Sequence, residues 1–330
     1  MLKTIISHSR IRYRNLAVDT KEKYKNLHST HHHANFNHLS DPLFIVSIPG
    51  SLHIVDLCLR FVPASINVVL VANGLDPLEQ RWAEKNLKVN GILKIKSCVR
   101  HGTVLNILFN IINKPFGILD YDCFIFNQTL FRSLITLDRE SAGNGLFKYT
   151  NPELNLDYPE TFALFFNTEI IRKIIKDYQI SCNQYHFFQL SNRIRQRLSG
   201  IGIDETHYPE KFKKVFDTLR LVLSLVFVHG YRFNFVTGHS MNDMPAEEAF
   251  HVGGVSLPGY TGGYYQWRGS YFWSRALENN PDEKLRSHYQ ASTGCITSEE
   301  LSAVHPRYSQ RAGPKFFDLV EEIITSKVER

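Results

Sequence analysis

The first 127 residues alternate short apolar runs with amphipathic segments, and the apolar runs stop at turn signals or acids. LFIVSIPG at 43–50 ends in Pro-Gly, and INVVLVANG at 66–74 ends in Asn-Gly. ILKIKSC at 92–98 alternates in polarity, and a fourth run passes through FGILDYDCFIFN at 116–127. Short apolar runs bounded by turns read as buried strands. The intervening segments, 51–60, 77–89 and 103–113, have helical spacing. Asp76-Pro77 followed by Glu79 supplies a helix cap, a first-turn proline and the partner of a capping box. The order β-α-β-α-β-α-β predicts a parallel sheet covered by helices on both faces. Such sheets bind ligands beyond the carboxyl ends of their strands. Pro49-Gly50, Asn73-Gly74 and the acids Asp120 and Asp122 all fall at those ends.

The two acids carry the chemistry. On one strand, residues i and i+2 point to the same face, so Asp120 and Asp122 would repel each other there. Buried acids are costly unless paired. A hard divalent cation with oxygen ligands, shared with a diphosphate, resolves that conflict. The alternative is that both are turn residues at a strand end, where Asp is common.

Composition removes several classes. The chain has 330 residues, 43% hydrophobic, enough for one large α/β domain with an extension. The formal charge of +6 is spread thinly over Arg10–Arg14, Lys21–Lys25, Arg193–Arg197 and Lys211–Lys214, and no nucleic-acid motif accompanies it. Neither a signal peptide nor a transmembrane run is expected. Five scattered cysteines without a CxxC read as reduced thiols of a cytoplasmic protein. The His-rich tract 28–38 reads as a polar connector before the first strand.

The second half is less regular. A strand at 161–169 leads to a helix ending near Tyr178, a basic helix is expected at 183–199, and a strongly apolar core helix at 210–229. A strand at 231–236, a Gly- and aromatic-rich loop at 250–275 and a terminal helix near 315–327 complete the pattern.

These segments together resemble a glycosyltransferase of the GT-A type, nearest to its large family 2 group. The resemblance rests on Leu43–Gly50, on Asn67–Gly74 with Asp76 and Glu79, on Asp120-Tyr121-Asp122 as an Asp-any-Asp motif, and on His251 in FHVGG. It covers roughly residues 43–255. It implies a GT-A-like, mostly parallel α/β sheet flanked by helices, and transfer of a sugar from a nucleoside-diphosphate donor to an unknown glycan, lipid-linked or small-molecule acceptor. Asp122 would ligate Mn²⁺ or Mg²⁺, and His251 would be a further ligand or touch the diphosphate. Asp120 would contact the donor or a metal-bound water. A core histidine satisfied by hydrogen bonds is the alternative for His251. Pro49, Asn73, Gly74, His101 and Gly102 would line the donor site, although a plain glycine turn fits His101-Gly102 equally. Arg268 would meet the diphosphate, with Trp267 or Tyr265 stacking on a sugar, unless these aromatics simply pack on one another.

One departure stands out. The acidic pair that inverting members place before a helix is replaced by Ser181-Cys182-Asn183-Gln184. Asp204 and Glu205 are then the candidate general bases, with helix capping as their other role. A catalytically inactive nucleotide- or sugar-binding module is the alternative function. The expected layout is a polar extension at 1–40, the donor-binding and catalytic domain at 41–255, and a completing C-terminal segment at 256–330. The location is expected to be cytoplasmic, with peripheral membrane contact left open.

Overall fold

The computed structural model describes residues 36–209, 215–255, 263–293 and 296–326. The expected leader, most of the His-rich tract, Lys211–Lys214 and the middle of the Gly/aromatic loop lie outside these.

The predicted alternation forms as β1 (Leu43–Ser47), α1 (Leu52–Phe61), β2 (Val68–Asn73), α2 (Pro77–Asn86), β3 (Gly91–Ile95), α3 (His101–Ile111) and β4 (Phe116–Leu119). The chain continues through β5 (Cys123–Ile125), α4 (Thr129–Ile135), β6 (Ser141–Gly145), the hairpin β7 (Lys148–Asn151) and β8 (Leu156–Pro159), and β9 (Ala163–Phe166). Then come α5 (Thr168–Tyr178), α6 (Asn192–Ser199), α7 (Arg220–Val228), β10 (Arg232–Phe235) and β11 (Ala249–His251). Four helices follow: α8 (Tyr264–Glu278), α9 (Glu283–Thr293), α10 (Ser298–Val304) and α11 (Pro306–Thr325).

Seven strands form one sheet in the order β10-β6-β9-β4-β1-β2-β3. Only β9 runs against the rest, pairing antiparallel with β4 and β6. Continuous apolar strands are required here because both faces are covered. Leu43, Ile45, Leu70 and Ala72 enter one core, with α1 and the C-terminal helices. Phe44, Val69 and Val71 enter the other, with α3, α5 and α7. From β1 the chain moves outward to β2 and β3, then returns to place β4 on the other side of β1. That reversal between β1 and β4 opens a crevice at the carboxyl ends of the strands.

The second half differs from the sequence reading in four places. The expected helix at 183–199 is a single 3-10 turn, Phe187–Gln189, followed by α6. The apolar helix starts only at Arg220, because Phe216 pairs with Tyr185 in an isolated bridge and Leu219 takes φ +67°. The Gly/aromatic segment is not one loop: it supplies β11 and most of the 15-residue α8. The terminal helix begins early, at Pro306, and bends at Gly313. Among the described residues no helix is long and apolar enough to cross a membrane.

Candidate active site

β4 stops at Leu119, so Asp120 and Asp122 sit in the turn to β5 rather than on one strand face. This corrects the strand geometry expected from their spacing and still brings the acids together. The turn is pinned by the Asp120 amide donating to Phe162 O at 2.8 Å and the Cys123 amide donating to Asp120 O at 3.0 Å. His251 arrives from the far end of the sequence. β11 pairs antiparallel with β5, setting His251 opposite Cys123, and the Val252 amide donates to Asp122 O at 3.0 Å. One ligand atom from each of Asp120, Asp122 and His251 lies within 4.8 Å of the others.

The histidine is held in place by its neighbours. Its ring stacks on Phe162, with centroids 3.8 Å apart and planes 10° from parallel. Nδ1 lies 3.4 Å from Met241 Sδ, and Nε2 lies 3.4 Å from Asp122 Oδ1. With Nδ1 as donor to the thioether, the lone pair of Nε2 faces a carboxylate, an arrangement that needs a proton or a cation between them. Burial opposes protonation of His251, but the charges of Asp122, Asp120 and Glu160 outweigh it and raise its pKa. Burial, reinforced by the charge of Asp122, raises the pKa of Asp120 against the opposing pull of His101 and His251. Two carboxylates and an imidazole, mutually strained without a positive charge, fit a hard divalent cation.

The other predicted residues divide into two groups. His101 opens α3, its charge is felt at Asp120, and its Nε2 is buried without a hydrogen-bond partner. Gly102 is needed for packing: a Cβ there would stand 2.6 Å from Cys182 O and 2.6 Å from Asn183 Oδ1. The segment that lacks the acidic pair therefore lies directly on the first turn of α3. Asn73 spends its amide on the loop before α3, exchanging hydrogen bonds of 2.9 Å with both Val99 N and Val99 O. Gly74 lies against Cys98 at φ +75°. Pro49 lies in the turn after β1, beside Gly50, whose amide donates to the buried Glu79.

Three expectations are relocated. Trp267 is fully buried and donates to Leu301 O, so it offers no face to a sugar. Arg268 lies on α8 with its guanidinium against Phe250, Tyr264 and Phe316. Phe250 and His251 are successive strand residues, so that guanidinium sits across the strand from the acid cluster. Asp204 and Glu205 lie in an exposed turn, where Asp204 Oδ1 accepts from the Thr206 and His207 amides and holds its pKa low through those bonds.

Two carboxylates escaped the sequence reading, and the first of them is felt at the cluster. Glu160 reaches the buried Arg220 at 3.4 Å and adds to the field at His251. Asp217 precedes α7 by three residues, on the segment whose Leu219 amide donates to Cys182 O at 2.7 Å. An acid shortly before Leu-Arg-Leu and an apolar helix was the available signal, hidden by treating 210–229 as one helix.

The C-terminal helices lock the first two strand ends. Glu79 Oε1 accepts from Gly50 N at 2.7 Å and Tyr289 Oη at 2.8 Å, while Oε2 accepts from Asp76 N at 3.0 Å. Trp273 Nε1 donates to Gly50 O at 2.7 Å, and His288 meets Asp76 at 2.7 Å. The capping box read from Asp76 and Glu79 is present, with Glu79 also serving as the hub of this clamp.

Comparison with known proteins bears on the class of the protein. Residues 18–171 match the family model of the StrH glycosyltransferase N-terminal domain, a span that runs through the acid turn into α5. The resemblance to glycosyltransferases read from the sequence is thereby borne out for this part of the chain. Among curated proteins, the dTDP-dihydrostreptose–streptidine-6-phosphate dihydrostreptosyltransferase of Streptomyces griseus is 28% identical over 109 residues. That alignment takes in 33% of this chain and only 28% of the relative. The mannosyltransferase PcManGT from Pyrobaculum calidifontis, in complex with GDP-Man and Mn²⁺, aligns over 86% of this chain and 83% of its own, with a TM-score of 0.37 and 10% identity. GlyE of Streptococcus pneumoniae aligns over 82% and 64%, with a TM-score of 0.36 and 10% identity. At those scores the fold assignment rests on the sheet itself.

Proposed function

We propose that this protein is a metal-dependent glycosyltransferase that moves a sugar from a nucleoside-diphosphate donor to an acceptor hydroxyl. The observation that carries this reading is the convergence of Asp120, Asp122 and His251 within 4.8 Å beside the crevice, in a chain matching a glycosyltransferase domain. Asp122 and His251 would hold the divalent cation, with Asp120 as a further ligand or a contact to the donor. A cation bound there supplies Lewis-acid neutralisation of the departing diphosphate. Phe162 and Met241 keep His251 oriented, and His101 on the first turn of α3 offers a donor toward donor oxygens.

We assign the acceptor's proton to a carboxylate on the rim formed by residues 217–220. Asp217 is the first candidate, at the strained entry to α7; such backbone strain concentrates at functional sites. Glu160, tied to Arg220, would orient the acceptor. Asp204 and Glu205 rank behind them because their turn is exposed. The named reaction of the Streptomyces griseus relative makes dTDP sugars the first donors to try, and a phosphorylated acceptor the first acceptor class.

The test is calorimetric titration with UDP, GDP, CDP and dTDP, each with and without Mn²⁺, on wild type and Asp122→Asn. Metal-dependent binding of one diphosphate, lost in the variant, is the expected result. Equal affinity in both proteins refutes the site. In turnover assays with the donor so found, Asp217→Asn should lower kcat by roughly 10²-fold or more with nucleotide affinity unchanged.

A further inference from the structure

Arg268, on the first turns of α8, and Arg307 and Arg311, on α11, lie around the same group of tyrosines. The guanidinium carbon of Arg311 stands 4.2 Å from the Tyr264 ring centre, and that of Arg268 stands 5.8 Å from it. Arg307 lies 4.7 Å over Tyr308, whose ring is 6.2 Å from Tyr264, and Tyr265 beside it is 49% exposed. Among the described residues no carboxylate pairs with Arg268, Arg307 or Arg311. The Nε of Arg268 is buried without a hydrogen-bond partner. Arg275 farther along α8 provides the contrast. Its guanidinium is forked onto Glu321 at 2.6 and 2.9 Å and also meets Glu278. The same pair of helices thus neutralises one arginine and leaves three cations on aromatic faces with no carboxylate partner among the described residues.

Aromatic faces hold a guanidinium by its plane and leave its N–H edge free for an oxyanion. The amides opening α8 add to the positive field, since Gly263 provides no capping side chain. The cluster is also tied to the acid turn. Tyr121, between the two aspartates, donates to Val255 O, and Gly254 packs so tightly on α8 that a Cβ on Gly269 would stand 2.2 Å from Gly254 O.

We infer that the arginines around Tyr264 and Tyr308 form a subsite for a phosphate monoester, the phosphate of a phosphorylated acceptor. Several cations with fork-shaped donors match a dianion with several oxygens better than a single carboxylate. This inference rests on the transferase reading for the identity of the acceptor, and not for the binding of phosphate.

The experiment titrates inorganic phosphate into the full chain by calorimetry, in EDTA and at constant ionic strength. Wild type and Asp122→Asn are expected to bind alike, and Arg311→Gln to bind at least about tenfold more weakly. Arg311 is exposed, so its variant keeps the fold; Arg268→Lys serves as a second variant that preserves the charge and removes the fork. Phosphate binding that is lost in Asp122→Asn, or unchanged in Arg311→Gln, overturns the proposal. So does pelleting with phosphatidylglycerol vesicles by a protein that binds no phosphate, which would make this a lipid-facing surface. Failure of the nucleotide titrations, with Arg311-dependent phosphate binding intact, removes the transferase reading and leaves the phosphate site standing.

Discussion

Tyr289→Phe tests the clamp that holds the strand ends. The substitution keeps the ring, its packing against Trp273 and His53, and nearly all its volume. It deletes one oxygen that makes two buried contacts, donating to Glu79 at 2.8 Å and accepting from the Leu52 amide at 3.3 Å. Burial and the charge of Glu79 push the Tyr289 pKa far up, so the group remains a donor at any working pH. Losing a hydrogen bond to a buried carboxylate costs roughly 1.5–3 kcal/mol, and an orphaned buried amide roughly 1–3 kcal/mol. The longer second bond argues for the low end of its range, giving about 2.5–4 kcal/mol in all. Urea unfolding followed by far-ultraviolet circular dichroism is the assay. The midpoint should fall with an unchanged slope, because the exposed surface on unfolding is the same. Glu79→Gln turns an amide N–H₂ toward donors and should cost at least as much. The double variant should cost clearly less than the sum, since the two residues share one bond. A loss below about 0.5 kcal/mol for Tyr289→Phe, or strict additivity with Glu79→Gln, would refute the argument that this network holds the strand ends.

Two more outcomes follow from buried groups. His53 donates to Trp273 O while its Nδ1 is buried without a partner, and burial lowers its pKa from 6.5 to about 3. The unfolded chain therefore takes up a proton below pH 6.5 that the native state refuses. Stability should fall on acidification by roughly 1.4 kcal/mol per pH unit from this group between pH 6 and 4, and His53→Gln should flatten the measured slope by about one proton. Gly102→Ala should lose about 1–3 kcal/mol of unfolding free energy, because its methyl group meets the backbone of Cys182. It should also weaken metal-dependent nucleotide binding by shifting His101, and wild-type affinity in a destabilised variant would separate the packing role from the site.

The first half of the fold was legible because local signals agreed with the tertiary outcome. Fully apolar strands, the Asp76 cap and the Pro-Gly and Asn-Gly turns each imply the same parallel sheet. The acid pair was legible as chemistry but not as geometry, since a spacing of two fits a strand face and a tight turn equally. β5 and β11 are three residues each and pair only with each other among the described strands, so neither shows alternation long enough to detect. α8 was hidden because glycine reads as a breaker; Gly269 is required by the backbone of Gly254, a contact no local pattern displays. The entry to α7 was invisible for a related reason. A leucine at φ +67° is held there by its burial and by Cys182, and its own preferences point elsewhere.

The clamp also sets an order of events during synthesis. Gly50 meets Trp273 across 223 residues, Glu79 meets Tyr289 across 210, and Leu52 meets Tyr289 across 237. A nascent chain emerging from the ribosome can pair β1, β2, β3 and β4 early, yet the turns at their ends must wait for α8 and α9. Until then Glu79 lacks Tyr289 and the acid turn lacks His251. The crevice is therefore among the last regions to become ordered, and a half-made polypeptide carries the early strands without the assembled Asp120–Asp122–His251 cluster.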